Sequence, residues 1–402
     1  MDAASEMKLV ILILVICIAS TKGAGIEIKS PPHPGPSFFI NIVGGIGQTF
    51  LGFVLGFSHA RFLGERRIFT LPDGTKLGGL LFESNHPQTD PLIIANFGVL
   101  ADSLSNPAPS FIRFIVKPDK LHASVLIVDG GVSESFYKLN HNIDIGGYDE
   151  GRSLVELASI LPQYGIKYSS LHLMGVSLGG NAVLQALIEA ARLKYNFFSS
   201  AAIFSGALNE EASTQAVLTA FGHPLLGLPD RTRLSEGGKI ILEAALETIH
   251  LGSTFYGTKS KYSFPSPWQN VGGFFYNGFK RRISFLKGES IKKFPWNPKI
   301  SLKSVAQYVQ TSSTVGLQGI NHIHIPVLIV QAQDDPIVAF GAFKTIQNNS
   351  LHNPNIETLG TRDGGHWGFI TAYGPTWVEQ LIKKMLIAGK RLQKRRKFAQ
   401  QH

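Results

Sequence analysis

At 402 residues the chain can bury a full core, as one large domain or as a core with an insertion. Its apolar fraction, 44%, is that of a globular enzyme, and its formal net charge of +10 favours anionic surfaces such as acidic lipid head groups. The single cysteine, Cys17, rules out a zinc-ligand cysteine pattern, and the chain carries no nucleic-acid-binding module.

Residues 1–8 are a short polar start with one lysine beside an apolar run. Residues 9–20 (LVILILVICIAS) are too short to span a bilayer comfortably and are followed by small residues through Ala24. This is the layout of a signal peptide or an uncleaved membrane anchor, and it predicts an exported, membrane-associated protein. If the run is removed, Cys17 goes with it, so cysteine usage does not decide the redox compartment. Residues 29–35 form a Pro-rich linker. Residues 37–58 then run without a charge and read either as a bilayer-contacting segment or as a buried helix over the core.

Residues 67–71 and 76–83, joined by Pro72-Asp73-Gly74, predict a β-hairpin with an Asp-Gly turn. Buried strands follow at 91–95 and 124–129. Residues 130–147 read as a loop rich in Gly, Ser and Asn, and 149–164 as a helix. Another strand is expected at 199–204. From Ala207 to about Gly319 the strand–helix rhythm breaks, with a helical run at 239–250 and aromatic and basic clusters after it. The rhythm resumes with strands at 325–332 and 355–359 and an amphipathic helix at 373–388. Residues 390–397 (KRLQKRRK) are a basic tail, read as a solvated end or as a contact to anionic lipid. No internal repeat is found.

The chemistry centres on residues 171–191, LHLMGVSLGGNAVLQALIEAA. A short apolar strand meets a turn, Gly175-Val176-Ser177-Leu178-Gly179, and an alanine-rich helical segment follows at once. This is G-x-S-x-G between a strand and a helix, the context in which the motif presents a nucleophilic serine. A rival turn at Gly131-Val132-Ser133-Glu134-Ser135 lacks the second glycine and a following apolar helix. Downstream, Gln333-Asp334-Asp335-Pro336-Ile337-Val338 ends one strand, and Asp363-Gly364-Gly365-His366-Trp367-Gly368-Phe369 follows the next. An acid and a histidine therefore follow the serine in order, each just past the end of a strand.

At all three positions the chain resembles the α/β-hydrolase superfamily, and the GGHWGF run resembles the histidine loop of its esterase and lipase branch. The resemblance covers about residues 65–206 and 320–388. It implies an α/β fold, with a mostly parallel central sheet flanked by helices and an inserted cap. The implied parts are residues 1–23 as signal peptide or anchor, 24–60 as linker and apolar segment, 61–206 and 320–389 as the core, 207–319 as cap and 390–402 as tail. It further implies Ser177 as nucleophile, His366 as base and Asp335 as the orienting acid, since D-P-I-V matches the family's D-x-x-V continuation. Asp334 is then left to face solvent or to cap the loop. One oxyanion donor is expected at the backbone N–H of Leu178. The other is expected in the loop after residue 95, at Val99, where Phe97-Gly98 replaces the family's usual His-Gly. No histidine has an aspartate five positions on, as an H-x4-D acyltransferase signature would need, which favours hydrolysis.

The expected activity is cleavage of an acyl ester with an apolar, lipid-like chain, without cofactor or metal. A peptidase or thioesterase with the same triad, and a non-catalytic lipid-binding protein, stay open at this stage. His322 and His324 precede a strand and sit at its wrong end for a base. His172 is expected in the serine's own strand, buried.

Overall fold

The computed structural model describes residues 64–98, 103, 121–131, 133–144, 147–209, 213, 319–335, 337, 338, 340–366 and 369–401. The N-terminal apolar segments, Val99 and nearly all of the expected cap lie outside these residues.

Eight strands form one sheet in the order β1-β2-β4-β3-β5-β6-β7-β8. They are β1 (Glu65–Thr70), β2 (Lys76–Phe82), β3 (Leu92–Asn96), β4 (Ser124–Val128), β5 (Leu171–Val176), β6 (Phe198–Phe204), β7 (Val327–Ala332) and β8 (Ile356–Thr361). The hairpin β1–β2 and the pair β2–β4 are antiparallel, and all other pairs are parallel. Strands β3, β4 and β7 are nearly pure runs of Val, Ile, Leu and Ala because helices cover both of their faces.

The two cores follow from side-chain alternation along each strand. Leu92, Ile94, Leu171 and Leu173 point to one face, with the apolar stripes of α2 (Tyr148–Ile160) and α3 (Leu178–Arg192). Ile93, Ala95, Met174 and Val176 point to the other, with α5 (Phe369–Tyr373) and α6 (Pro375–Gln401).

Several elements differ from the sequence expectations. Within the expected loop 130–147 lies a helix, α1 (Glu134–Asn140), started by Ser133, whose side chain accepts from Phe136 N–H at 3.1 Å. The expected helix 149–164 is α2 followed by a 3-10 turn, Leu161–Tyr164. A helix α4 (Phe340–Asn349), for which there was no expectation, packs Phe343 and Ile346 against the first core. The expected helix 373–388 is split: Gly374, at φ +82°, separates Tyr373 at the end of α5 from Pro375 at the start of α6. From there α6 runs through the basic tail to Gln401. No helix among the described residues is long and apolar enough to cross a membrane.

Candidate active site at the carboxyl edge of the sheet

Strands β3 and β5 to β8 run parallel, so the loops that follow them open on one edge of the sheet. Cross-strand partners line up there: Asn96 with Gly175, Val176 with Phe204, Phe204 with Val330, and Ala332 with Thr361. This is the edge at which open α/β sheets bind ligands. Ser177, Asp335 and His366 all follow strands at this edge.

Ser177 is the one residue between β5 and α3. Its backbone has φ 58° and ψ −129°, a conformation that costs about 1–3 kcal/mol and persists only where the surroundings enforce it. Here the enforcement comes from β6. Ser177 N–H donates to Phe204 C=O at 3.2 Å, and Ser177 C=O accepts from Gly180 N–H and Ala207 N–H, both at 2.9 Å. The flanking glycines are steric necessities. A Cβ on Gly175 would lie 2.4 Å from Gly179 C=O, and one on Gly179 would lie 2.2 Å from Asn96 C=O. The Ser177 side chain makes no capping hydrogen bond to its helix and is half-buried. As the first residue of α3, Leu178 has an N–H with no acceptor inside the helix.

The loop after β3 comes against the same helix start. Gly98 takes φ +84°, and a Cβ there would lie 2.8 Å from the backbone nitrogens of both Leu178 and Gly179. Only glycine brings this loop so close to the Leu178 N–H. Val99, the expected second donor, lies outside the described residues.

Asp335 and His366 are in contact: His366 Nδ1 stands 3.1 Å from Asp335 Oδ2. Both are buried. The same Oδ2 accepts from Gln331 Nε2 at 2.9 Å, and Oδ1 accepts from the backbone N–H groups of Ile337 (2.8 Å) and Val338 (2.9 Å). The carboxylate is thus fixed on both oxygens by its own loop and strand.

Asp334 reaches beyond its own loop. It is half-buried, and its Oδ1 accepts from Gly365 N–H, one residue before His366, at 2.8 Å. Burial pushes its carboxyl up to about 7, outweighing that hydrogen bond, and neighbouring Asp363 and Asp335 push the same way. The two adjacent aspartates divide the work, Asp335 on the imidazole and Asp334 on the backbone of the histidine loop. The tight path of that loop needs Gly364, at φ +142°, where a Cβ would meet the Phe369 ring at 2.8 Å.

The other candidates have different roles. Ser133 caps α1, and Ser135 donates to Asp129 at 2.7 Å. His172 is fully buried in β5 between Ser200 (2.7 Å) and Ser170 (2.8 Å), and burial pushes its imidazole down to about 3. His322 and His324 precede β7, at the opposite edge. A cavity of about 330 Å³ also opens at that opposite edge, lined by Ala201, Val327, Asn355 and Leu392, far along the strands from Ser177.

Sequence reasoning missed Gln331 and the role of Asp334. A glutamine at the end of a buried strand carries no motif, and Asp334 could be placed only once the histidine loop was seen to fold back onto it.

No family model matches the sequence, and no curated protein does. Solved structures do. The esterase Pf2001 of Pyrococcus furiosus aligns with a TM-score of 0.50 at 15% identity, over 81% of this chain and 92% of that one. The hyperthermophilic esterase of the archaeon Pyrobaculum calidifontis aligns with a TM-score of 0.50 at 14% identity, over 86% of this chain and 92% of that one. At such identities the likeness is one of fold. With the strand order, the strained serine turn and the ordered loops in view, the chain is built on the α/β-hydrolase fold.

Proposed function

We propose that the protein is a serine hydrolase that cleaves carboxylic esters through an acyl-enzyme. The observation that carries the reading is the 3.1 Å contact between His366 and Asp335 on the sheet edge to which the strained Ser177 turn belongs. The two similar esterases support the reaction class.

Ser177 Oγ attacks the ester carbonyl carbon. His366 takes the serine proton and passes it to the leaving alkoxide as the acyl–oxygen bond breaks. Since Nδ1 is committed to Asp335, the nitrogen that handles this proton is Nε2. Asp335 keeps the ring in that tautomer and stabilises the imidazolium. Water then repeats the sequence on the acyl-enzyme, releasing the acid and restoring Ser177. The N–H groups of Leu178 and Val99 hold the oxyanion, a contribution whose loss costs on the order of a hundred- to a thousandfold per donor.

An apolar, lipid-like acyl chain is favoured by the uncharged segment 37–58 and the aromatic clusters of 207–319 in the sequence. We further assign an anionic lipid surface as the partner of the outward face of α6, where Lys390, Arg391, Lys394 and Arg395 surround the exposed Ile387 and Phe398. The test of the activity is hydrolysis of p-nitrophenyl esters of graded chain length. Wild type turns them over, and Ser177→Ala and His366→Ala lose activity by about a thousandfold or more. Wild-type rates in Ser177→Ala would overturn the assignment.

A further inference from the structure

A buried polar pair has no part in the scheme above. Glu150, near the start of α2, and Asn96, at the end of β3, are both almost wholly removed from solvent. Glu150 Oε1 accepts from Gly131 N–H, and Oε2 accepts from Asn96 Nδ2 at 3.3 Å. The Asn96 amide is divided: its nitrogen donates to Glu150, while its Oδ1 accepts from Gly98 N–H at 2.9 Å. Gly98 is the residue that stands against the Leu178 and Gly179 nitrogens.

Ser103, five residues beyond Gly98 in the chain, is also fixed. Ser103 N–H and Oγ both donate to Asp129 Oδ1 at 2.8 Å, and Asp129 is bound by the Arg66 guanidinium at 2.5 Å.

A buried carboxyl is poor value as a stabiliser, because its desolvation offsets what its partners return. A registry role accounts for it better. Glu150 fixes which way the Asn96 amide faces, and the amide sets how far Gly98 stands from the Leu178 N–H. We propose that Asn96 and Glu150 are positioning residues for the oxyanion site, holding Gly98, at the start of the loop after β3, against the helix start that carries the Leu178 N–H. This rests on the serine-hydrolase reading and adds to it the part that sets the geometry of the oxyanion site.

The pair allows a swap. In Asn96→Asp, two carboxyls face each other, and because burial already raises Glu150 to about 7 they share a proton near neutral pH, so all variants are compared at pH 9, where the two charges repel. In Glu150→Gln, one donor must face another, either at Asn96 Nδ2 or at Gly131 N–H. In the double variant the pattern is whole again: the Gln nitrogen donates to the new Asp, whose other oxygen accepts from Gly98, and the Gln oxygen accepts from Gly131. The net charge of the pair is unchanged.

The experiment measures kcat and KM for a soluble ester, the rate of fluorophosphonate labelling at Ser177, and Tm, for wild type, both single variants and the double. Each single variant is expected to lose about ten- to a hundredfold in kcat and in labelling rate, with KM within about threefold, as misplacement of a reacting group does. The double is expected to recover to within about fivefold of wild type. Single variants with wild-type kcat would overturn the proposal, as would a folded double no faster than the slower single. If one single variant does not fold, the other and the double still decide. Failure of the underlying reading looks different: Ser177→Ala would then hydrolyse ester at the wild-type rate, whatever happens at Asn96 and Glu150.

Discussion

Gln331, Asp334 and Asp335 lie within five residues of one another and answer to different demands. Four donors, including Gln331 Nε2 and His366 Nδ1, surround the Asp335 carboxyl. Replacing Gln331 by Leu removes one donor at little change in volume. Steady-state kinetics should show kcat lower by roughly tenfold, the scale of one charge-assisted hydrogen bond lost beside the base. An unchanged kcat would mean that the two backbone donors hold the carboxylate alone. Asp334 is served better without a charge. Its carboxyl is raised from 3.8 to about 7 by burial, so the folded state holds this proton more tightly than the unfolded one. The stability tied to it is complete below about pH 4 and is lost as pH rises through about 7. Asparagine keeps the acceptor for Gly365 and carries no charge. Asp334→Asn should therefore be more stable than wild type by roughly 1 kcal/mol at pH 8, a modest figure because water screens part of a half-buried charge. The gap should close towards pH 4, as denaturant titrations at the two pH values would read. Of these three residues only Asp335 was legible beforehand, because its loop carries a motif. The others act through contacts that exist only once β7 and the histidine loop are folded together.

At the scale of elements, the parallel strands were readable because continuous apolar runs leave few alternatives once turn residues bound them. Helix α1 was not readable, because its Gly-, Ser- and Asn-rich surroundings look like loop until Ser133 is seen to cap it. The end of α6 shows the opposite case. Gly389 suits the end of a helix, and the sequence expectation stopped at Ala388. In the fold Gly389 is buried in mid-helix, where a Cβ would lie 2.6 Å from the His172 ring and 2.9 Å from Ser200 Oγ. The glycine is there for close approach, and beyond it Gln393 donates to Ser199 Oγ at 3.0 Å, which carries the helix onward. On an exposed helix, Gly→Ala stabilises by up to about 1 kcal/mol. Gly389→Ala is expected to destabilise by about 1–3 kcal/mol through overpacking, seen as a lower urea midpoint. A raised midpoint would show that the contact yields easily.

At the scale of the whole molecule, the proposed ester site and the proposed lipid contact lie at different ends of α6. Its first half covers the core beside the candidate site, with Trp377 against Phe369 and Tyr373. Its last turns lie near the starts of β5 and β6, where Gln393 binds Ser199, so the basic face sits towards the opposite end of the strands. Each cation near an anionic membrane adds about 1 kcal/mol, within a Debye length of the surface. Vesicles with phosphatidylserine should therefore sediment the protein and phosphatidylcholine vesicles should not, and about 0.5 M salt should release it. Charge reversal of Lys390, Arg391, Lys394 and Arg395 should abolish sedimentation while leaving kcat on a soluble ester within about twofold. Binding that survives charge reversal would assign the membrane contact elsewhere.

The central claim is that Ser177 is an activated nucleophile beside a formed oxyanion site. A fluorophosphonate probe tests it most directly, since it phosphonylates a serine only where a base removes the hydroxyl proton and donors receive the phosphoryl oxygen. The folded wild-type protein should be labelled once, with the adduct mapping by mass spectrometry to the peptide holding Ser177, and Ser177→Ala should remain unlabelled. Labelling that persists in Ser177→Ala, or its absence from folded wild type, would contradict the account.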